Sequence, residues 1–207
     1  MSTVCSRSSA PSSLLRRVAV GALLLIGAPA AFAHPGHGDI QGFISGFAHP
    51  WNGLDHVLAM LAVGIWAAQM GGRKSWALPL TFPLLMLAGG AMGMSGLGLP
   101  GVEIGIALSA LLLGALVLLA ARPTMGFAAP LVGIFALFHG HAHGAELPVG
   151  VDALMYCGGF VLATAMLHGL GLLLGSLHRW KSGALALRGA GGVIAAAGAT
   201  LLAQMFI

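Results

Sequence analysis

Two short stretches concentrate residues that bind transition metals. The first is His49-Pro50-Trp51-Asn52-Gly53-Leu54-Asp55-His56. Read as one helix, it sets His49 and His56 seven residues apart on a shared face, with Pro50 in the first turn, where a missing N–H does no harm. Asp55 lies about 100° around from His56. It either ligates a cation or accepts a hydrogen bond from a ligating imidazole. No Lys or Arg stands near it in the sequence, so its charge calls for a cation from elsewhere. The second stretch is Phe138-His139-Gly140-His141-Ala142-His143-Gly144-Ala145-Glu146. His139 and His143 are i,i+4, and Glu146 continues that face; His141 points elsewhere on a helix. Imidazole suits Ni, Co, Cu and Zn, and carboxylate adds charge neutralisation. The expected ligand set is His49, Asp55, His56, His139, His143 and Glu146.

Other histidines supply secondary candidates. His168, in an Ala-Thr-Ala-Met-Leu-His run, is either a further station for an ion or a buried imidazole hydrogen-bonded to a neighbouring helix. His34 and His37 would form a loose capture site at a new N-terminus, or a solvated tail. His141 joins the secondary set, and His178 beside Arg179 reads as a loop residue. Met86, Met92 and Met94 read as packing filler.

These residues sit in a very apolar chain. Of 207 residues, 58% are hydrophobic and 7% charged, too few charges to cover a water-exposed surface. Residues 1–33 read as a signal peptide: Arg16-Arg17, an apolar run from Val18 to Ala28, then Ala31-Phe32-Ala33 as a small-x-small cleavage site. Residues 34–207 read as one all-α polytopic bundle. Its six expected membrane spans lie at about 50–70, 76–95, 102–121, 125–143, 150–175 and 184–206. With an outer N-terminus, Arg73, Lys74, Arg122, Arg179, Lys181 and Arg188 all fall on the inner side. This places the chain in a bacterial inner membrane with a periplasmic N-terminus. Both histidine clusters then lie at the outer face, with Glu103, Glu146 and Asp152 at or near it. One metal site shared by the first and fourth spans is geometrically feasible. Gly89-x-x-x-Gly93, Gly101-x-x-x-Gly105, Gly140-x-x-x-Gly144 and Gly171-x-x-x-Gly175 permit close helix approach in lipid. A homo-oligomer is compatible with the sequence.

Several functions are disfavoured. The formal charge of +4 includes Arg7, Arg16 and Arg17 of the leader; without them, six basic residues face five acidic ones, with no basic stripe for nucleic acid. Cys157 is the one cysteine after the leader, so no intrachain disulfide or C-x-x-C pair is available. No P-loop pattern occurs. No prosthetic group is expected.

The strings H-P-x-x-G-x-D-H-x-x-x-M (His49 to Met60), F-H-G-x-A-H-G-x-E (Phe138 to Glu146) and A-T-x-x-L-H (Ala163 to His168) resemble the HupE/UreJ family. The resemblance covers essentially the whole chain after the leader. It implies a nickel or cobalt permease of six membrane helices, associated with hydrogenase or urease maturation. It also implies that His49, Asp55 and His56, with His139, His143 and Glu146, carry the metal. Two other classes compete. One is an accessory protein or sensor that holds metal without moving it. The other is a membrane di-iron enzyme, suggested by His139-x-x-x-His143 alone; the further histidine boxes of such enzymes are missing.

Overall fold

The computed structural model describes residues 38–148 and 150–207. The expected leader, His34 and His37 lie outside them. The described residues form α1 (Gly38–Asn52), α2 (Leu54–Met70), α3 (Ala77–Met94), α4 (Val102–Leu119), α5 (Met125–Ala145), α6 (Ala153–Gly175) and α7 (Lys181–Gln204). Short 3-10 turns at Arg73–Trp76 and Ser176–Arg179 precede α3 and α7. There is no strand among the described residues. Five helices are long and apolar enough to cross a membrane, and α1 with α2 makes a bent sixth candidate. The chain is a multi-pass membrane protein.

Five expected spans match α3 to α7 within about three residues. The first does not. A separate helix, α1, precedes it, and the chain turns by 82° between α1 and α2. Pro50 lies in the last turn of α1, not the first turn of a span. Asn52 and Gly53 are poor helix formers and sit at the break. Gly53 itself is extended, with φ −99° and ψ 112°. His49 and His56 therefore belong to different helices and do not share a helical face.

The burial pattern is that of a membrane bundle. Leu80, Leu84, Phe127, Leu154, Leu185 and Val193 are exposed around the outside. His56, Gln69, Ser109, His139, His143, Thr164 and His168 are buried within. Helix α2 holds the centre, with ten buried residues among its seventeen. It packs on α6 and α4; α3 packs on α5, α4 on α7, and α1 on α6.

Small residues set these pairings. A Cβ at Gly140 would collide with the Met86 carbonyl, and one at Gly144 with the Gly90 carbonyl. Gly89 and Gly93 meet the α5 backbone from the other side. Two of the small-residue patterns thus face each other across the α3–α5 contact. Gly171 and Gly175 press on α2 at Gly64 and Ile65. Gly101 does not pack; it caps α4, and only Gly105 of that pattern meets a neighbour, Phe138.

The far end of α4 is tied down by side chains. Val117 O accepts from Gln69 Nε2 at 3.2 Å, Leu118 O from Arg188 Nε at 2.8 Å, and Ala121 O from Trp66 Nε1 at 2.8 Å. The bonds to Leu118 O and Ala121 O occupy carbonyls at and just beyond a helix end, and Val117 O accepts from Ala120 N as well. Between them Ala120 adopts φ 50°, ψ 40°, a left-handed conformation that costs an L-residue about 1 kcal/mol. Ala120→Gly relieves that strain. It should raise the thermal midpoint of the detergent-solubilised protein, with a gain of about 0.5–1 kcal/mol by reversible denaturation.

Candidate metal centre

Four helices converge on one cavity of about 270 Å³. The end of α1 brings His49 and Asn52. The first turn of α2 brings Asp55 and His56. The last turn of α5 and the residue after it bring His143 and Glu146. Glu103, in the first turn of α4, completes the polar lining. The volume equals roughly nine waters at the liquid density, room for a hydrated ion.

The bend at Gly53 makes this convergence possible. It turns α1 aside so that His49 approaches His143, with ring centroids 4.6 Å apart. It also leaves Asp55 and His56 at a free helix start. Gly53 has a steric reason to lack a side chain: a Cβ there would stand 2.9 Å from Asp55 Oδ1 and 3.0 Å from His56 Nδ1.

Hydrogen bonding sets the imidazole tautomers. His56 Nδ1 donates to Asp55 Oδ1 at 3.1 Å, which leaves His56 Nε2 with its lone pair. That nitrogen faces His143 Nε2 in a very short contact, so the two rings can share one proton between them. Two Nε2 atoms aimed at one point can also share a cation in place of the proton. On the other side of His143, His49 Nε2 lies 3.7 Å from Glu146 Oε2. Donor atoms of His49, His143 and Glu146 all fall within 4.8 Å of one another. Two ligands on one Zn-sized ion stand about 4 Å apart at most, so small side-chain rotations suffice. Asp55, Glu103 and Glu146 supply three carboxylates, while no Lys or Arg lines the cavity. The charge balance favours a cation.

The expected residues separate into groups. His49, Asp55, His56, His143 and Glu146 line the cavity together. His139 lies one turn below His143 on α5, fully buried, with its ring 4.5 Å from that of His56. Ser109 Oγ donates to Ile106 O at 2.6 Å, so His139 Nε2 donates to Ser109 Oγ at 2.8 Å. This leaves the Nδ1 lone pair of His139 unpaired and buried. His141 turns away from the cavity, and its Nε2 donates to Leu97 O at 2.7 Å. His168 is deeper in the bundle and outside the cavity. Asp152 caps α6, accepting from Met155 N at 2.7 Å.

Sequence reasoning missed two participants. Glu103 was legible only as an acid near the outer face, with nothing to tie it to either histidine stretch. Ser109 carried no signal, since a lone serine in an apolar helix normally bonds its own backbone.

The sequence profile of the HupE / UreJ protein family matches residues 22–201. The chain is also similar to "Protein HupE" of Rhizobium leguminosarum bv. viciae, 49% identical over 173 residues, which cover 83% of this chain and 90% of that protein. No solved structure matches. An all-helical multi-pass chain, with both histidine motifs meeting at one cavity and a profile match over most of its length, belongs to the HupE/UreJ family.

Proposed function

We propose that the chain is a secondary permease or facilitator that takes up a divalent transition metal, Ni²⁺ or Co²⁺, across the bacterial inner membrane. The observation that carries this reading is the cavity shared by His49, Asp55, His56, His143 and Glu146, with no basic residue in its lining. Borderline imidazole nitrogens with carboxylates suit late first-row ions over Mg²⁺ or Ca²⁺. Membership of a family linked to nickel handling for hydrogenase or urease supports the same ions. The distribution of Lys and Arg supports a periplasmic location for the cavity after removal of the leader. The ion is the cargo, and the reading requires no catalytic step.

The energy for uptake is at hand without ATP. Two charges moving inward through 100 mV release roughly 4.6 kcal/mol, about 2.3 per charge. The carboxylates draw the ion from water, and the imidazoles replace its hydration as it enters.

One feature favours a second reading, a protein that holds metal without moving it. Below the cavity His139 is fully buried against the ring of Phe82, with centroids 5.6 Å apart, so the floor is closed. Proteoliposomes separate the two. Flux of Ni²⁺ or Co²⁺, exceeding that of Zn²⁺ and Cu²⁺ and accelerated by an inside-negative potential, is the expected result. Tight binding without flux overturns transport in favour of a metal-holding accessory role.

A further inference from the structure

His168 lies in the middle of the bundle, about 22 Å along α6 from Ala153 near the cavity end. It is 1% exposed. Neither of its ring nitrogens has a hydrogen-bond partner among the described residues. Such a side chain is a poor choice for packing: an apolar residue of similar size would fill the space without two unsatisfied polar atoms.

Its surroundings supply ligand chemistry. Pro83 lies inside α3 and has no N–H, so the carbonyl of Pro79 lacks its i+4 helical donor. That carbonyl lies beside the His168 ring. Thr164 stands one turn away on the same face of α6, buried, with its hydroxyl 3.9 Å from the Met86 sulfur. An imidazole and a freed carbonyl thus lie together in an apolar interior, with the Thr164 hydroxyl one helical turn away. The link upward is Phe82. Its ring contacts His139 at 5.6 Å and His168 at 5.1 Å between centroids.

Building on the transport reading, we propose that His168 and the Pro79 carbonyl form an inner station for the same divalent ion, with the Phe82 ring as the partition between this station and the outer cavity. The ion leaves the carboxylate-rich cavity, passes His139 as Phe82 moves aside, and binds a site with no formal negative charge. The inner station is therefore the weaker one, which suits release toward the inner face. An uncharged site also favours an ion that accepts neutral nitrogen ligands, such as Ni²⁺ or Co²⁺, over Mg²⁺.

The test places a reporter ligand at the inner position. His168→Cys is made in a Cys5→Ser, Cys157→Ser background, in the full chain in lipid nanodiscs, and Co²⁺ is added. Thiolate-to-cobalt charge-transfer absorption should appear in His168→Cys and be absent from the cysteine-free parent. Adding His56→Ala should slow its appearance at least about tenfold, because the ion arrives through the outer cavity. No absorption above the parent overturns the inner station. In proteoliposomes, His168→Leu should pass Co²⁺ at least about tenfold more slowly while binding at the outer cavity persists. A wild-type rate in His168→Leu also overturns the proposal. Charge-transfer absorption in a protein without flux upholds the inner station and counts against transport.

Discussion

In cells stripped of their own importers, His56→Ala and His143→Ala are expected to lower Ni²⁺ and Co²⁺ accumulation by about 100-fold or more, with membrane abundance unchanged. Each of these rings presents an Nε2 to the other, so removing either one removes half of the shared donor pair. The remaining imidazole keeps its neighbours, since His143 also contacts Phe160 and His49 by its ring. The fold should therefore survive the loss. Asp55→Asn is expected to be milder, about 10–100-fold in metal affinity, because Asp55 acts on His56 through Nδ1. Its amide oxygen can still accept that hydrogen bond, but without the charge that raises imidazole basicity. Binding isotherms in nanodiscs check the order. An Asp55→Asn loss as deep as that of His56→Ala would make Asp55 a direct ligand. Unchanged accumulation in both histidine variants would remove the cavity from the transport path.

The second large effect is structural. Gly140→Leu should prevent accumulation of folded protein in the membrane, through destabilisation of about 3 kcal/mol or more. Any side chain at Gly140 runs into the Met86 carbonyl, which is backbone and cannot rotate aside. Separating α3 from α5 would also move His139 and His143, which share a neighbouring face of α5 about 100° around from Gly140 and Gly144. Gly169→Ala and Gly189→Ala are the controls. Nothing lies within 4 Å of a Cβ at either position, and both are inside helices. Those two substitutions should be neutral or stabilising by about 0.5–1 kcal/mol. Size-exclusion profiles of fluorescently tagged protein report all three. Normal accumulation of Gly140→Leu would refute the close α3–α5 approach.

Loss of the α3–α5 contact would reach the inner half as well. Phe82 on α3 contacts both His139 on α5 and His168 on α6. The three helices are coupled through one ring, so a shift of α3 changes both histidine environments together. Apolar faces of α3 and α5 turned to lipid gain nothing from burial, so only close van der Waals fit holds the pair. That is why glycine, and not a larger apolar residue, occupies the contact.

Much was legible in the residues alone. The membrane architecture followed from the scarcity of charge and the length of the apolar runs, because lipid admits few other solutions. The two histidine stretches stood out because ionisable groups are costly at that depth and seldom serve packing. The tertiary structure decided the rest. His56 and His143, 87 residues apart, meet because the start of α2 and the end of α5 reach the same cavity. Helices that are apolar all round carry no stripe to say which face meets which neighbour. The 82° turn at Gly53 gave His49 a helix of its own, whereas spacing alone read one continuous helix. Glu103 joined the cavity, His141 left it, and His139 sank onto Ser109, each through helix rotation that local sequence does not encode. Residue chemistry dictated which groups could bind a metal; backbone fit among glycines determined which of them face one another.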